Sequence, residues 1–194
     1  MSRVVLKVAA LLAASLVLLA CSPKLDWRTV QSPQERYSAL FPGKPDKLER
    51  QIPYQGQEFL QTLEAVKIDD DIYSIGSIKL LANQTALLPN LINQLQSNLL
   101  DRAKASGGDV EILDTTYQLS SRQKLPSKDY FLVLKSSAKT SQSMRVRWIT
   151  RAALNGEMWI YQISVLHPNG SANDAKTSLS KEEYENFFSG FSPE

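Results

Sequence analysis

Two apolar runs flank a turn late in the chain, and they constrain the fold more than any other feature. Met144–Leu154 and Glu157–Leu166 are rich in branched and aromatic residues, with Asn155-Gly156 between them. Asn-Gly accepts positive φ at both central positions of a type I′ turn, so the stretch predicts a β-hairpin with a two-residue loop. Side chains alternate between faces with a period of two. In that register Trp148 stands opposite Ile163, Val146 opposite Val165 and Ala152 opposite Trp159. These residues, with Tyr161, form the expected core face. The other face carries Arg145, Arg147 and Arg151, together with Ile149, Met158, Ile160, Gln162 and Ser164.

A hairpin of that length needs further strands beside it and a layer over its apolar face. Residues 27–31 and 37–41 read as short strands, and Phe41-Pro42-Gly43-Lys44-Pro45 breaks the chain after them. Residues 48–53 are extended, with Pro53 suited to an edge. Residues 57–68 and 72–81 predict a second hairpin around Asp69-Asp70-Asp71. Leu87, Leu88, Leu91, Ile92, Leu95, Leu99 and Ala103 recur at three- and four-residue steps, which predicts an amphipathic helix over 87–105. Pro89 falls in its first turn, where a missing N–H costs nothing, and Gly107-Gly108 stops it. Residues 110–119 and 130–137 are strand-like and are joined by a polar segment around Pro126. Ser180-Lys181-Glu182-Glu183 is a capping-box pattern. It opens a short helix with Tyr184, Phe187 and Phe188 on one side, a stop at Gly190 and Phe191 packed back.

The start of the chain has a different character. Arg3 and Lys7 precede an uncharged apolar stretch, Val8 to Ala20. At 1.5 Å per residue it reaches about 20 Å, short of the roughly 30 Å of a bilayer core. It reads as a secretory signal rather than a spanning helix. Leu18-Leu19-Ala20-Cys21 resembles the bacterial lipobox, which implies cleavage before Cys21 and lipidation of its thiol. Cys21 is the only cysteine, so no intramolecular disulfide can form. Each buried methylene of an acyl chain adds about 0.8 kcal/mol, so two or three chains hold a protein on a membrane almost permanently. Ser22, in place of Asp, implies sorting to the outer membrane, facing the periplasm, in a Gram-negative host. The expected organisation is a signal peptide at 1–20, a short lipidated tether at 21–26 and a single domain at 27–194.

Charge follows from the same segment. The chain has 22 Lys and Arg against 20 Asp and Glu, and the excess is Arg3 and Lys7. The mature domain is neutral and has no electrostatic footprint for nucleic acid. Its one histidine, His167, and its one cysteine fall short of a zinc or haem ligand set. No Gly-x-Ser-x-Gly accompanies His167, and there is no phosphate-cradling glycine loop. No cofactor or metal is expected, and Asp69-Asp70-Asp71 lacks the alternating ligands of a calcium loop. The stripe of Arg145, Arg147 and Arg151 is the one candidate site for a partner or anion, because guanidinium groups suit carboxylates and phosphates. The alternative is a solvated face, or arginines laid over a helix with their charges outward.

The order of these pieces resembles the PsbP-like (Mog1/PsbP-like) domains of small exported proteins. The resemblance rests on the Trp27-led first strand, Phe41-Pro42-Gly43-Lys44-Pro45 and the helix ending at Gly107. It continues in Arg145-x-Arg147, Tyr161 and Phe187-Phe188-Ser189-Gly190-Phe191. It implies an α+β fold, a central antiparallel sheet with helices packed on it in an α/β/α sandwich. No functional residue carries over. The expected function is a non-catalytic binding or assembly module for an envelope partner, held at the membrane through Cys21. The alternatives are a small-ligand or lipid-binding lipoprotein, with a cavity beside the 87–105 helix, and a hydrolase using Glu58, Glu64 and Asp69 to Asp71.

Overall fold

The structure, a computed structural model, describes residues 25–136, 141–168 and 174–194. The expected signal segment, Cys21 and Ser22 lie outside the described residues. Strands hold 53% of the described residues and helices 23%, so the fold is α+β with the sheet dominant. The strands are β1 (Arg28–Ser32), β2 (Tyr37–Phe41), β3 (Asp46–Tyr54), β4 (Gln57–Ile68) and β5 (Asp71–Leu80). They continue as β6 (Val110–Gln118), β7 (Lys124–Lys135), β8 (Ser141–Ala152), β9 (Met158–His167) and β10 (Ser192–Pro193). The helices are α1 (Leu88–Ala105), α2 (Ala175–Leu179) and α3 (Glu182–Ser189), and a 3₁₀ turn, Ala82–Leu87, leads into α1. Seven strands form one antiparallel sheet in the order β3-β4-β5-β9-β8-β7-β6, and β1-β2-β10 form a smaller one.

The central hairpin forms with a different turn from the expected one. Its loop has three residues, Leu154, Asn155 and Gly156. The Ala153 N–H donates to the Glu157 carbonyl at 2.8 Å, and the Gly156 N–H donates to the Ala153 carbonyl at 3.0 Å. Of the three, only Gly156 has positive φ, 81°. This is a type I turn closed by a left-handed glycine. Asn155 instead accepts the Glu157 N–H on its side chain at 3.2 Å. The extra loop residue shifts the register by one, so Trp148 faces Gln162, Arg145 faces Val165, Arg147 faces Ile163 and Arg151 faces Trp159. A one-residue slip moves a whole strand's side chains to the other face relative to its partner. Val146 and Trp148 therefore leave the face of Tyr161, and the three arginines join it.

Both faces of the large sheet are covered. On one, Tyr73, Ile75, Ile149, Tyr161, Ile163 and Val165 pack against β2, α2, α3 and Phe191. Phe191 closes this core, its ring centroid 5.3 Å from Tyr37 and 5.2 Å from Tyr161. On the other face α1 lies over Ile78, Leu80 and Ile160 at one end, and over Leu132, Val146 and Trp148 at the other. The helix ends as the glycine pair requires. Gly107 has φ 70°, its N–H donates to the Lys104 carbonyl at 2.9 Å, and the Gly108 N–H donates to the Ala103 carbonyl at 3.0 Å. That is a Schellman motif. A Cβ on Gly108 would sit 1.7 Å from the Val133 carbonyl oxygen, so only glycine fits between α1 and β7.

Three local expectations are corrected. The segment around Pro126 is strand, not a polar connection. Ser180 does not cap the last helix, because its N-cap is Lys181, without a side-chain bond. The preceding turn forms its own short helix, capped by Asp174, which accepts the Thr177 N–H at 2.8 Å.

Candidate functional site

The register places the arginine stripe inside the protein. Arg145 and Arg147 are 2% and 3% exposed, beneath α2 and α3. Between them sits Asp129 of β7, 1% exposed. It accepts from Arg145 Nε at 3.1 Å and Nη2 at 2.5 Å, and from Arg147 Nε at 2.6 Å and Nη2 at 2.9 Å. Glu185 of α3 takes Arg145 Nη1 at 2.7 Å, so two cations face two anions. The remaining N–H groups reach the carbonyls of Leu179 at 3.1 Å and Phe188 at 3.2 Å, at the C-terminal ends of α2 and α3. Positive charge is favoured at a helix C-terminus. The Phe188 ring lies 4.1 Å from the Arg145 guanidinium carbon. Arg151 is half-buried beside Trp159, and its Nε has no hydrogen-bond partner. Arg145 and Arg147 thus join the helices to the sheet and present no charge to a partner. Sequence reasoning missed Asp129, whose only signal is its place directly before the apolar run Tyr130–Leu134.

His167 lies on the Tyr161 face, in the row formed by Asp71 of β5, itself and Ser143 of β8. Its Nδ1 is 2.5 Å from Asp71 Oδ1, and the Tyr184 hydroxyl donates to Asp71 Oδ2 at 2.7 Å. The order Ser-His-Asp is that of a hydrolase triad, but the geometry is not. Ser143 is 0% exposed, and its hydroxyl has no hydrogen-bond partner among the described residues, so it does not reach the imidazole. A nucleophile needs both the base and an open approach. The carboxylates proposed for hydrolysis are also dispersed. Glu64 is buried and accepts from Ser32 Oγ at 2.7 Å and from the Tyr37 hydroxyl at 2.8 Å. Glu58 is exposed, six residues before it on β4, about 20 Å away at 3.3 Å per residue. Neither the wedge between β7 and β8 nor the smaller clefts beside α1 and α2 are lined by Glu58, Glu64 or Asp69 to Asp71.

A cleft opens where β7 and β8 part. Their pairing stops at Asp129↔Arg147, although β7 begins at Lys124 and β8 runs on to Ala152. The backbone alternation shows why the pairing cannot resume further along. Hydrogen bonds from Leu119 N–H to the Gln123 carbonyl and from Val133 N–H to the Asp109 carbonyl put odd-numbered residues of β6 and β7 in bonded pairs. Even-numbered residues of β7 therefore direct their backbone groups at β8. Pro126 is one of them and has no N–H to give, so the ladder cannot continue past it. The free ribbon of β6 and β7 bends instead toward the small sheet, where Tyr117, Leu119 and Leu125 join the core. The wedge left behind has a volume of about 410 Å³. Its walls include Gln96 of α1, Ser127, Lys128, Tyr130, Trp148 and Thr150. The Trp148 ring is held by an edge-on contact with Tyr130 at 5.0 Å and by its Nε1 donating to Gln162 Oε1 at 3.2 Å. Ser127 Oγ is buried and has no partner among the described residues. The wedge thus presents a fixed aromatic ring with amide and hydroxyl groups around it.

A scan of the chain against protein-family models finds no match, and neither does a search of the curated proteins.

Proposed function

We propose that the chain is a lipid-anchored protein of the bacterial cell envelope, with a non-catalytic binding module of PsbP-like α/β/α type as its domain. The observation that carries the binding role is the β7–β8 cleft, with its fixed Trp148 and unpartnered Ser127 hydroxyl. The layering of α1 on one face of the sheet and α2 and α3 on the other supports the sandwich. The anchoring role rests on the first twenty-one residues. No helix among the described residues is long and apolar enough to cross a membrane. The chain enters the domain beside the Asp69–Asp70 turn. There Asp26 N–H donates to the Pro42 carbonyl at 3.0 Å, and Gly43 lies against Val66 and Ile68. Strand β8 runs from Ser143 at that end to Thr150 at the cleft, about 23 Å at 3.3 Å per residue. Anchored at Cys21, the domain turns the cleft away from the membrane toward an envelope partner. With Ser22 after the cysteine, the outer membrane facing the periplasm is the membrane proposed for a Gram-negative host. The size of the cleft favours a second reading, capture of a small ligand against Trp148, since sites of roughly 300–1,000 Å³ suit such ligands.

A photo-crosslinking residue in place of Gln96 or Lys128, and in place of Glu49 on the opposite sheet edge as a control, tests the assignment in the native host. Discrete adducts from the two cleft positions alone, in the membrane fraction, are expected. Adducts independent of position refute the cleft. Unchanged processing and membrane fractionation of Cys21→Ala refute the anchor.

A further inference from the structure

We infer that the β7–β8 cleft receives an extended polypeptide segment, which pairs with the exposed edge of β8. This rests on the cleft being the binding site of the domain. The edge is a formed template. β8 stays in register with β9 as far as Ala152↔Met158, so the backbone from Trp148 to Ala152 is already in strand geometry. The Ala153 to Glu157 hydrogen bond places odd-numbered residues of β8 in the bonded pairs with β9. Thr150 therefore directs both its N–H and its carbonyl into the cleft, the arrangement that one residue of an antiparallel strand satisfies with two bonds. Across the gap Pro126 offers a carbonyl and no N–H, so β7 cannot close over this edge by zipping up. The strand edge is thus kept open by the covalent structure of its own neighbour. The same neighbour, with Gln96 of α1, narrows access to it, which guards against indiscriminate edge pairing.

Main-chain bonds give such a site its affinity, and pockets for alternate side chains give its selectivity. The peptide residue opposite Thr150 projects on the α1 side, beside the Trp148 and Tyr130 rings, and an apolar or aromatic side chain suits it there. The residues on either side of it project the other way, and a polar side chain among them can bond the Ser127 hydroxyl. A compact small molecule would use the Trp148 ring but has no need of the Thr150 backbone pair.

The test is a random heptapeptide library displayed on phage and panned on the intact mature lipoprotein in detergent micelles. Enriched peptides are then measured by fluorescence anisotropy, unmodified and N-methylated at each backbone nitrogen in turn. Methylation at alternate positions is expected to cut affinity about tenfold, a lost hydrogen bond's worth, with little effect at the positions between. Thr150→Pro removes a donor that the β8–β9 ladder does not use, so it should retain the melting temperature and lose the peptide. No enrichment, no period-two pattern, or undiminished binding by a stably folded Thr150→Pro variant overturns the inference. If that variant fails to fold, the methylation scan on the wild-type protein decides. Cleft crosslinks in cells without a period-two pattern would sink strand pairing and leave the binding module standing. Peptide pairing in vitro without cleft crosslinks in cells would sink the module.

Discussion

Removing Asp129 tests the account of the buried arginines directly. Asp129→Ala deletes the acceptor of four charge-assisted hydrogen bonds and leaves two guanidinium groups, 2% and 3% exposed, Arg145 with Glu185 and the Leu179 carbonyl and Arg147 with the Phe188 carbonyl alone. At about 1.5–3 kcal/mol per bond to a charged group, a simple total would run to roughly 6–12 kcal/mol. That overstates the loss, because the four bonds share three groups and the Glu185 side chain, 49% exposed, brings solvent to one side. Breaking a buried ion pair by removing one partner costs about 3–5 kcal/mol, which is the better guide. A loss of about 4 kcal/mol corresponds to a fall of roughly 8–16 °C in Tm for a domain of this size. Urea and thermal unfolding followed by circular dichroism measure it. Replacing the cluster entirely, with Arg145→Met, Arg147→Met and Asp129→Leu together, should recover most of the loss. Buried ion pairs replaced whole by apolar residues of similar volume are often neutral or better. A loss below about 1 kcal/mol for Asp129→Ala, or a triple variant no better than the single one, would show that the cluster is not the tie between sheet and helices.

Two further outcomes follow from buried groups. Burial raises the phenol pKa of Tyr37, Tyr73, Tyr161 and Tyr184, and nearby carboxylates add to the rise at Tyr37, Tyr73 and Tyr184. A folded-state pKa above the unfolded value means their contribution is fully present below about pH 10 and is lost as pH climbs beyond it. Absorbance titration at 295 nm should therefore show these four of the seven tyrosines ionising only as the protein unfolds, and smooth titration of all seven in the folded state would contradict it. Gly108→Ala places a methyl group against the Val133 carbonyl and should destabilise the domain by at least about 1–3 kcal/mol, the usual cost of overpacking. Gly107→Ala at φ 70° meets nothing within 4 Å and should cost less, through backbone strain alone, so equal losses in urea melts would refute the packing argument.

Most of the elements were legible in the sequence because their periods are strong. The 57–68 and 72–81 strands and the 87–105 helix agree with β4, β5 and α1 to within a residue or so. What failed was local and had large consequences. Asn155-Gly156 points to a two-residue loop, yet the strands take up Leu154 as a loop residue as well, and that single residue turns the arginines inward. Nothing in the alternation itself separates the two registers. Each face of β8 carries a mixture of apolar and polar residues, and long arginine stems pack as well as aliphatic chains. The choice is made by tertiary partners far away in the chain, Asp129 and Glu185, which no local pattern announces. Pro126 misled for a related reason. The polar segment around it reads as a connection between strands, yet only its N–H side is closed to pairing, and that side faces the gap rather than β6.

The two misread positions are linked in space, and the link explains why the cleft lies where it does. Asp129↔Arg147 is the last pair between β7 and β8. It is also the pair joined side chain to side chain, Arg147 Nε to Asp129 Oδ1 at 2.6 Å. On one side of this pair β7 and β8 run together in register, with Arg145 held by the same carboxylate. On the other side the pairing ends before Lys128 and Trp148, Pro126 has no N–H to restore it opposite Thr150, and the ribbon departs toward the small sheet. Without the buried ion pair, the bending ribbon would have a ladder of ordinary hydrogen bonds to peel open. With it, the vertex of the wedge is fixed by an interaction several times stronger than one net backbone bond. The arginines that looked like a surface for a partner therefore act from inside the protein, fixing the vertex of the wedge beside the open edge of β8.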